Sequence, residues 1–157
     1  MSNAEELARR LIEEGFNAGD LRVADEVISP DQIEHQHYGP DHAPGAEGVK
    51  AVIASLKRAF SDFHLAIEDL VVEGDKVWLR MTATGTNDGS FMGHPPTGRA
   101  MRSDVFDVVR VRDGRIAEHW GVPDRLNTLF QLGLVQPPDA TVSATGRGVR
   151  DAEAKAV

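Results

Sequence analysis

Val77-Trp78-Leu79-Arg80-Met81-Thr82-Ala83-Thr84-Gly85-Thr86 alternates with period two. Val77, Leu79, Met81 and Ala83 fall on one side; Trp78, Arg80, Thr82 and Thr84 fall on the other. That is a strand with one apolar face. Upstream, Glu73-Gly74-Asp75-Lys76 is a turn, preceded by a partner strand through Leu65, Ile67 and Leu70 to Val72. Downstream, Arg99 to Arg112 reads as a third strand. Asp113-Gly114 is a hairpin signal leading into a fourth, Arg115 to Val122. The spacing predicts an antiparallel meander.

Helical patterning flanks the meander on both sides. Ser2 and Glu5 have capping-box spacing, and Leu7, Ala8, Leu11, Ile12 and Phe16 follow a helical period until Gly19-Asp20. Leu21, Ala24, Val27 and Ile28 suggest a short second helix stopped near Pro30, followed by a polar segment from Asp31 to Tyr38. A loop over Gly39 to Gly48 leads to the stripe Val49, Val52, Ile53, Leu56 and Phe60. Asp124 is a good N-cap for a last helix through Leu126, Leu129, Phe130 and Leu132, ended near Gly133. From Gln136 on, Pro, Gly and charged residues cannot support a core. The expected organisation is therefore one domain over 1–135 and a mobile tail over 136–157.

Composition narrows the function classes. The 157 residues contain no cysteine, which removes disulfides, thiolate nucleophiles and Cys-ligated metals. A formal charge of −8 argues against nucleic acid and anionic membranes as partners. No apolar run approaches the ~20 residues of a membrane span. No basic start followed by an apolar run marks a secretory signal. The expectation is a cytoplasmic α+β protein.

Two runs remain that core packing does not explain. One is the Gly- and Pro-rich loop from Gly85 to Gly98, which contains Phe91-Met92-Gly93-His94-Pro95-Pro96-Thr97-Gly98. The other is Glu118-His119-Trp120-Gly121-Val122-Pro123-Asp124, at a strand end. Over residues 3 to 135 their order, with the Asp-Gly hairpin between them, resembles the SnoaL-like polyketide cyclase or ester cyclase family. That family lies within the nuclear-transport-factor-2-like superfamily. The resemblance implies a curved, mostly antiparallel sheet wrapped into a cone around a pocket. It also implies a homodimer formed through the open sheet face, with Trp78 or Trp120 as an outward anchor.

Strand parity puts His119 and Gly121 on one face of the last strand, with Glu118 and Trp120 on the other. The resemblance turns the first face to the pocket and sets Asp107 inward with Val105 and Val109. His35 and His37 share a face of the earlier polar segment. The expected catalytic constellation is His35, Asp107 and His119, with Arg80 as a further member able to hold a developing oxyanion. Gly121, Trp120 and Met92 are the other candidate substrate contacts. No metal and no cofactor are expected, since the pair His35 and His37 is a weak metal signal. Each residue also has a plainer reading. His119 can be a core residue bonded to Asp107, and Arg80 with Asp107 a structural ion pair. His37, His42 and His94 can be surface residues. His64 receives no role, and Pro95-Pro96-Thr97-Gly98 reads as a rigid turn.

The resemblance further implies aldol ring closure of a polyketide, with an Asp acid/base at the position of Gly121 and a partner His at that of Asp107. Both positions differ here, so acid/base duty falls on His119 or His35, with Asp107 as orienting partner and Gly121 making room for substrate. The function expected is a cofactor-independent cyclase, isomerase or hydrolase acting on a small apolar carbonyl or ester compound. The alternatives are a non-catalytic small-molecule binding module and a dimeric structural domain with a filled pocket.

Overall fold

A computed structural model describes residues 3–38 and 42–138. The Ser2 cap and the tail beyond Pro138 lie outside the described residues. Four of the five strands form the expected meander: β2 (His64–Glu73), β3 (Lys76–Thr86), β4 (Ala100–Arg112) and β5 (Arg115–Pro123). Each pairs antiparallel with the next. The Asp113-Gly114 turn has positive φ at both residues, 52° and 72°, as a tight hairpin requires. A bulge between Ile67 and Asp69 shifts the register of β2 on β3. It moves the apolar phase of β2 from odd positions (Leu65, Ile67) to even ones (Leu70, Val72).

The polar segment corrects one expectation. It forms β1 (Ile28–Glu34), parallel to β5, and the sheet order is β1-β5-β4-β3-β2. Pro30 is tolerated because β1 is an edge strand. The sheet is open, with β1 and β2 at its edges, and does not close into the expected cone.

Helix α1 (Asn3–Arg10) continues into a widened π-helical stretch, Leu11–Asn17, and stops at Gly19, where φ is 77°. Helix α2 (Arg22–Val27) follows, and α3 (Gly45–Ala59) crosses beside β1. Leu7, Leu11, Ile12, Val23 and Val27 from the helical side meet Val77, Leu79, Met81, Val109 and Ile116 from the strands. Gly85 is required by contact rather than by φ: a Cβ there would stand 3.0 Å from that of Phe60. Helix α4 (Arg125–Leu132) is capped as expected. Asp124 accepts from the Asn127 amide at 3.1 Å, and Gly133 closes the helix at φ 73°. No helix among the described residues is long and apolar enough to cross a membrane.

Candidate active site

Between the helices and the inner sheet face lies a cavity of about 410 Å³. Its walls are largely apolar, including Phe16, Leu56, Phe60, Phe63 and Phe91, which is ordinary for a small-molecule site. The ionisable groups collect at one end, and the strand register explains why. On β4, Asp107 points inward between Val105 and Val109. On β5, His119 points inward two residues before Gly121. Val109 pairs with His119, and Asp107 with Gly121. On the other side of β5, Glu34 of β1 pairs with His119. Three strands thus deliver two carboxylates and one imidazole to a single spot.

His119 Nδ1 lies 2.8 and 2.9 Å from the two oxygens of Glu34, and its Nε2 is 3.5 Å from Asp107 Oδ2. All three side chains are mostly buried. Burial alone would push the imidazole pKa down. The flanking carboxylates of Asp107 and Glu34 outweigh it and raise the value to about 9, so His119 is an imidazolium at neutral pH. Burial works in the opposite sense on Glu34, but the bond to His119 wins and holds that carboxyl below its ordinary value. Glu34 also accepts from the Gln36 amide at 2.8 Å. Asp107 Oδ1 is different: it is buried and has no hydrogen-bond partner among the described residues. Leaving such an acceptor unpaired costs about 1–3 kcal/mol, which is informative on a cavity wall.

Two further residues line this end. Tyr38, beyond β1, stacks on His42 with ring centroids 4.6 Å apart. Burial, aided by the charges of Glu34 and Asp107, keeps its phenol protonated well above the ordinary range. Arg125 contributes the guanidinium.

The expected constellation is therefore brought together only in part. Asp107 and His119 meet at the cavity, and Met92 lines it from the Phe91–His94 turn, at φ 49°. His35 stands on the outer face. Its Nε2 is 2.8 Å from Glu118, and its ring stacks on Trp120 at 4.6 Å and 5°. Trp120 is thus also outside the cavity, under Lys76 and Arg110. Arg80 is outside too, bonded to Asp69 at 2.7 Å rather than to Asp107. The reason is parity. The alternation on β3 turns Arg80 away, and β1 with its extension turns even-numbered residues inward. Gly121 faces inward, but the room it leaves is taken within the protein. A Cβ there would strike the Gln36 amide oxygen and sit 2.8 Å from both Asp107 Oδ1 and His119 Cε1. His94 is exposed, in keeping with a surface role, and Pro95 and Pro96 are exposed as well.

Glu34 is the residue that sequence reasoning missed. The available signal was Tyr38, the one aromatic in the segment. Turning it inward sets the phase that carries Glu34 and Gln36 inward and His35 outward.

Residues 6–132 match the SnoaL-like polyketide cyclase family. Among curated relatives, the aklanonic acid methyl ester cyclase DnrD of Streptomyces peucetius is 32% identical over 143 residues, which is 87% of this chain and 95% of that protein. The nogalonic acid methyl ester cyclase of Streptomyces nogalater is 28% identical over 126 residues, covering 79% of this chain and 93% of its own. The solved structure of TsrD from Streptomyces laurentii superposes with a TM-score of 0.77 at 32% identity, over 85% of this chain and 96% of that one. Fold, chain order and extended sequence similarity agree: the chain belongs to the SnoaL-like polyketide cyclase family.

Proposed function

We propose that this chain is an acid/base enzyme of the cyclase type acting on a small apolar carbonyl or ester compound held in the cavity. The observation that carries this reading is Asp107 beside His119 on the cavity wall, with one carboxylate oxygen, the buried Oδ1, left without a hydrogen-bond partner among the described residues. Asp107 takes a proton from a carbon made acidic by a neighbouring carbonyl. The enolate then attacks a second carbonyl, a C–C bond forms, and the new alkoxide recovers the proton from Asp107. The proton leaves and returns through one carboxyl group, so the scheme draws on no cofactor. The His119 imidazolium, 3.5 Å from Asp107 Oδ2, lowers the cost of negative charge developing on the substrate. Glu34 is a positioning residue, with both oxygens on His119 Nδ1.

The relatives are named for the methyl esters of aklanonic and nogalonic acid, so these are the first compounds to assay. Turnover of either should collapse in Asp107→Asn and fall strongly in His119→Gln. Wild-type rates in both variants would sink the assignment. One observation favours the second reading, a binding module: both His119 nitrogens are already engaged within the protein. That reading predicts tight binding without turnover. The open cavity removes the support for a filled-pocket structural domain.

Pairing of two copies through the outer sheet face is part of the proposal. Trp78, Phe106 and Val122 are 51, 54 and 70% exposed there, and Phe106 pairs directly with Val122 across the ladder. Apolar exposure of this kind on adjacent strands marks an association surface.

A further inference from the structure

Arg125 is the only Lys or Arg side chain on the cavity wall among the described residues. It is half-buried, and unlike Arg9, Arg10, Arg80 and Arg110 it has no hydrogen bond or ion pair among those residues. Tyr38 lines the same end of the cavity, and its hydroxyl likewise makes no hydrogen bond among the described residues. The Arg125 charge is felt at that phenol. A guanidinium and a phenolic O–H, both without a partner among the described residues and both lining the same space, form a two-donor site for a carboxylate. Resting on the reading of this cavity as a substrate site, we propose that the natural ligand is an apolar ring compound bearing a carboxylate, and that Arg125 and Tyr38 bind that group.

The charge balance supports this. Glu34, His119 and Asp107 together carry one net negative charge when His119 is protonated. Arg125 brings the lined space to neutrality, so an anion can enter without facing two uncompensated carboxylates. The two sets of groups share one end of the cavity and differ in the elements that carry them. His119 and Gly121 lie on β5 beside Asp107, while Arg125 follows Pro123 at the start of α4. The carboxylate is held on the α4 side of that end, and the rings extend along the aromatic wall of Phe60, Phe63 and Phe91. The reacting carbon is left beside Asp107. The phenol of Tyr38, kept protonated by burial, serves as a donor at the pH where the ligand is ionised.

The test is equilibrium binding of a matched fluorescent pair, 9-anthracenecarboxylate and its methyl ester, at neutral pH and low salt. The overall charge of −8 disfavours any anion, so a preference for the acid has to be local. The acid should bind about tenfold more tightly than the ester. Arg125→Gln should bring the ratio close to one, Arg125→Lys should retain part of it, and Tyr38→Phe should lower it. Equal affinity of the two ligands for the wild type, or a preference that survives Arg125→Gln, would overturn the carboxylate site while leaving the cavity reading intact. Failure of both ligands to bind the wild type would overturn the cavity reading and this inference with it.

Discussion

Asp107 and Gly121 face each other directly across the β4–β5 ladder, and Asp107 Oδ1 lies 2.8 Å from the point a Cβ at position 121 would occupy. The family resemblance implies an acid at the β5 position of this pair. Here the carboxylate comes from β4 and reaches the same ground from the opposite strand. The missing Asp at 121 therefore does not leave this end of the cavity without a carboxylate, and the glycine is required for the arrangement.

Gly121→Ala makes that requirement measurable. The new methyl group would press on Asp107, on His119 and on the end of the Gln36 side chain. Overpacking of this kind costs about 1–3 kcal/mol, so thermal unfolding should move down by several degrees. Adding Gln36→Ala removes one of the three collisions and should restore part of the loss. A Gly121→Ala protein as stable and as active as the wild type would show that the close approach carries no constraint.

The imidazolium makes stability depend on pH. The folded value of His119, about 9, is above its ordinary 6.5. Its stabilisation is complete below about pH 6.5 and is lost as the pH rises through about 9. The difference amounts to roughly 3–4 kcal/mol at most, from ~1.4 kcal/mol per unit. Glu34 acts in the opposite sense: its contribution is present above about 4.5 and fades as the pH falls through its lowered folded value. An NMR titration of the His119 ring should show the raised midpoint, and Glu34→Gln should lower it. An unchanged midpoint in Glu34→Gln would mean that Asp107 alone holds the charge.

The same geometry ranks the catalytic variants. Asp107→Asn removes the proposed base and should reduce turnover by about 10²–10⁴. Glu34→Gln leaves the base in place but loosens the imidazole, so a smaller loss is expected, with a shifted pH profile. His35→Ala lies across the sheet and should change turnover by less than about twofold. A loss in His35→Ala comparable to that in Asp107→Asn would return His35 to the site.

What the sequence made legible follows the strength of its alternation. On β3 the alternation is plain. On β4 and β5 apolar residues fall on both faces, with Phe106 and Val122 outward and Val109 and Ile116 inward, so it is the family resemblance that sets Asp107 and His119 inward. On β1 the alternation is not plain. The strand pairs in parallel with β5, its register slips between Ile28 and Ile33, and beyond Ile28 its inward side chains are Gln32 and Glu34. A polar strand gives no hydrophobic phase to read, so the pattern does not single out Glu34 as inward or His35 as outward. Arg80 went wrong for a different reason. It shares the face of Trp78, which the sheet turns outward, and its guanidinium pairs with Asp69 there.

The outer face offers a test of pairing. Trp78 is half exposed and lies beside Val71 and Val108 across the strands. Trp78→Glu would place a charge in the middle of that surface. If two copies join there, sedimentation should show the wild type as a dimer at micromolar concentration and the variant as a monomer with unchanged secondary structure. A wild type that sediments as a monomer would remove the pairing proposal.

The loop over the cavity depends on one side chain. Asn87 is fully buried. Its Nδ2 donates to the Ala59 carbonyl at 3.1 Å and to Gly89 at 2.8 Å, and its Oδ1 accepts from the Thr97 amide at 2.9 Å. Helix α3 and both ends of the loop carrying Phe91 and Met92 are tied through that amide. Asn87→Ala would leave several buried partners unsatisfied, at about 1–3 kcal/mol for each one that water does not reach. A marked drop in thermal stability is expected, with faster amide exchange at Thr97. Asn87→Asp should also be destabilised, because a carboxylate offers no donor to the carbonyls of Ala59 and Gly89. If ligand binding at the Phe91 and Met92 wall weakens in parallel, the loop is part of the cavity's shape. If stability falls and affinity does not, the staple serves the fold alone.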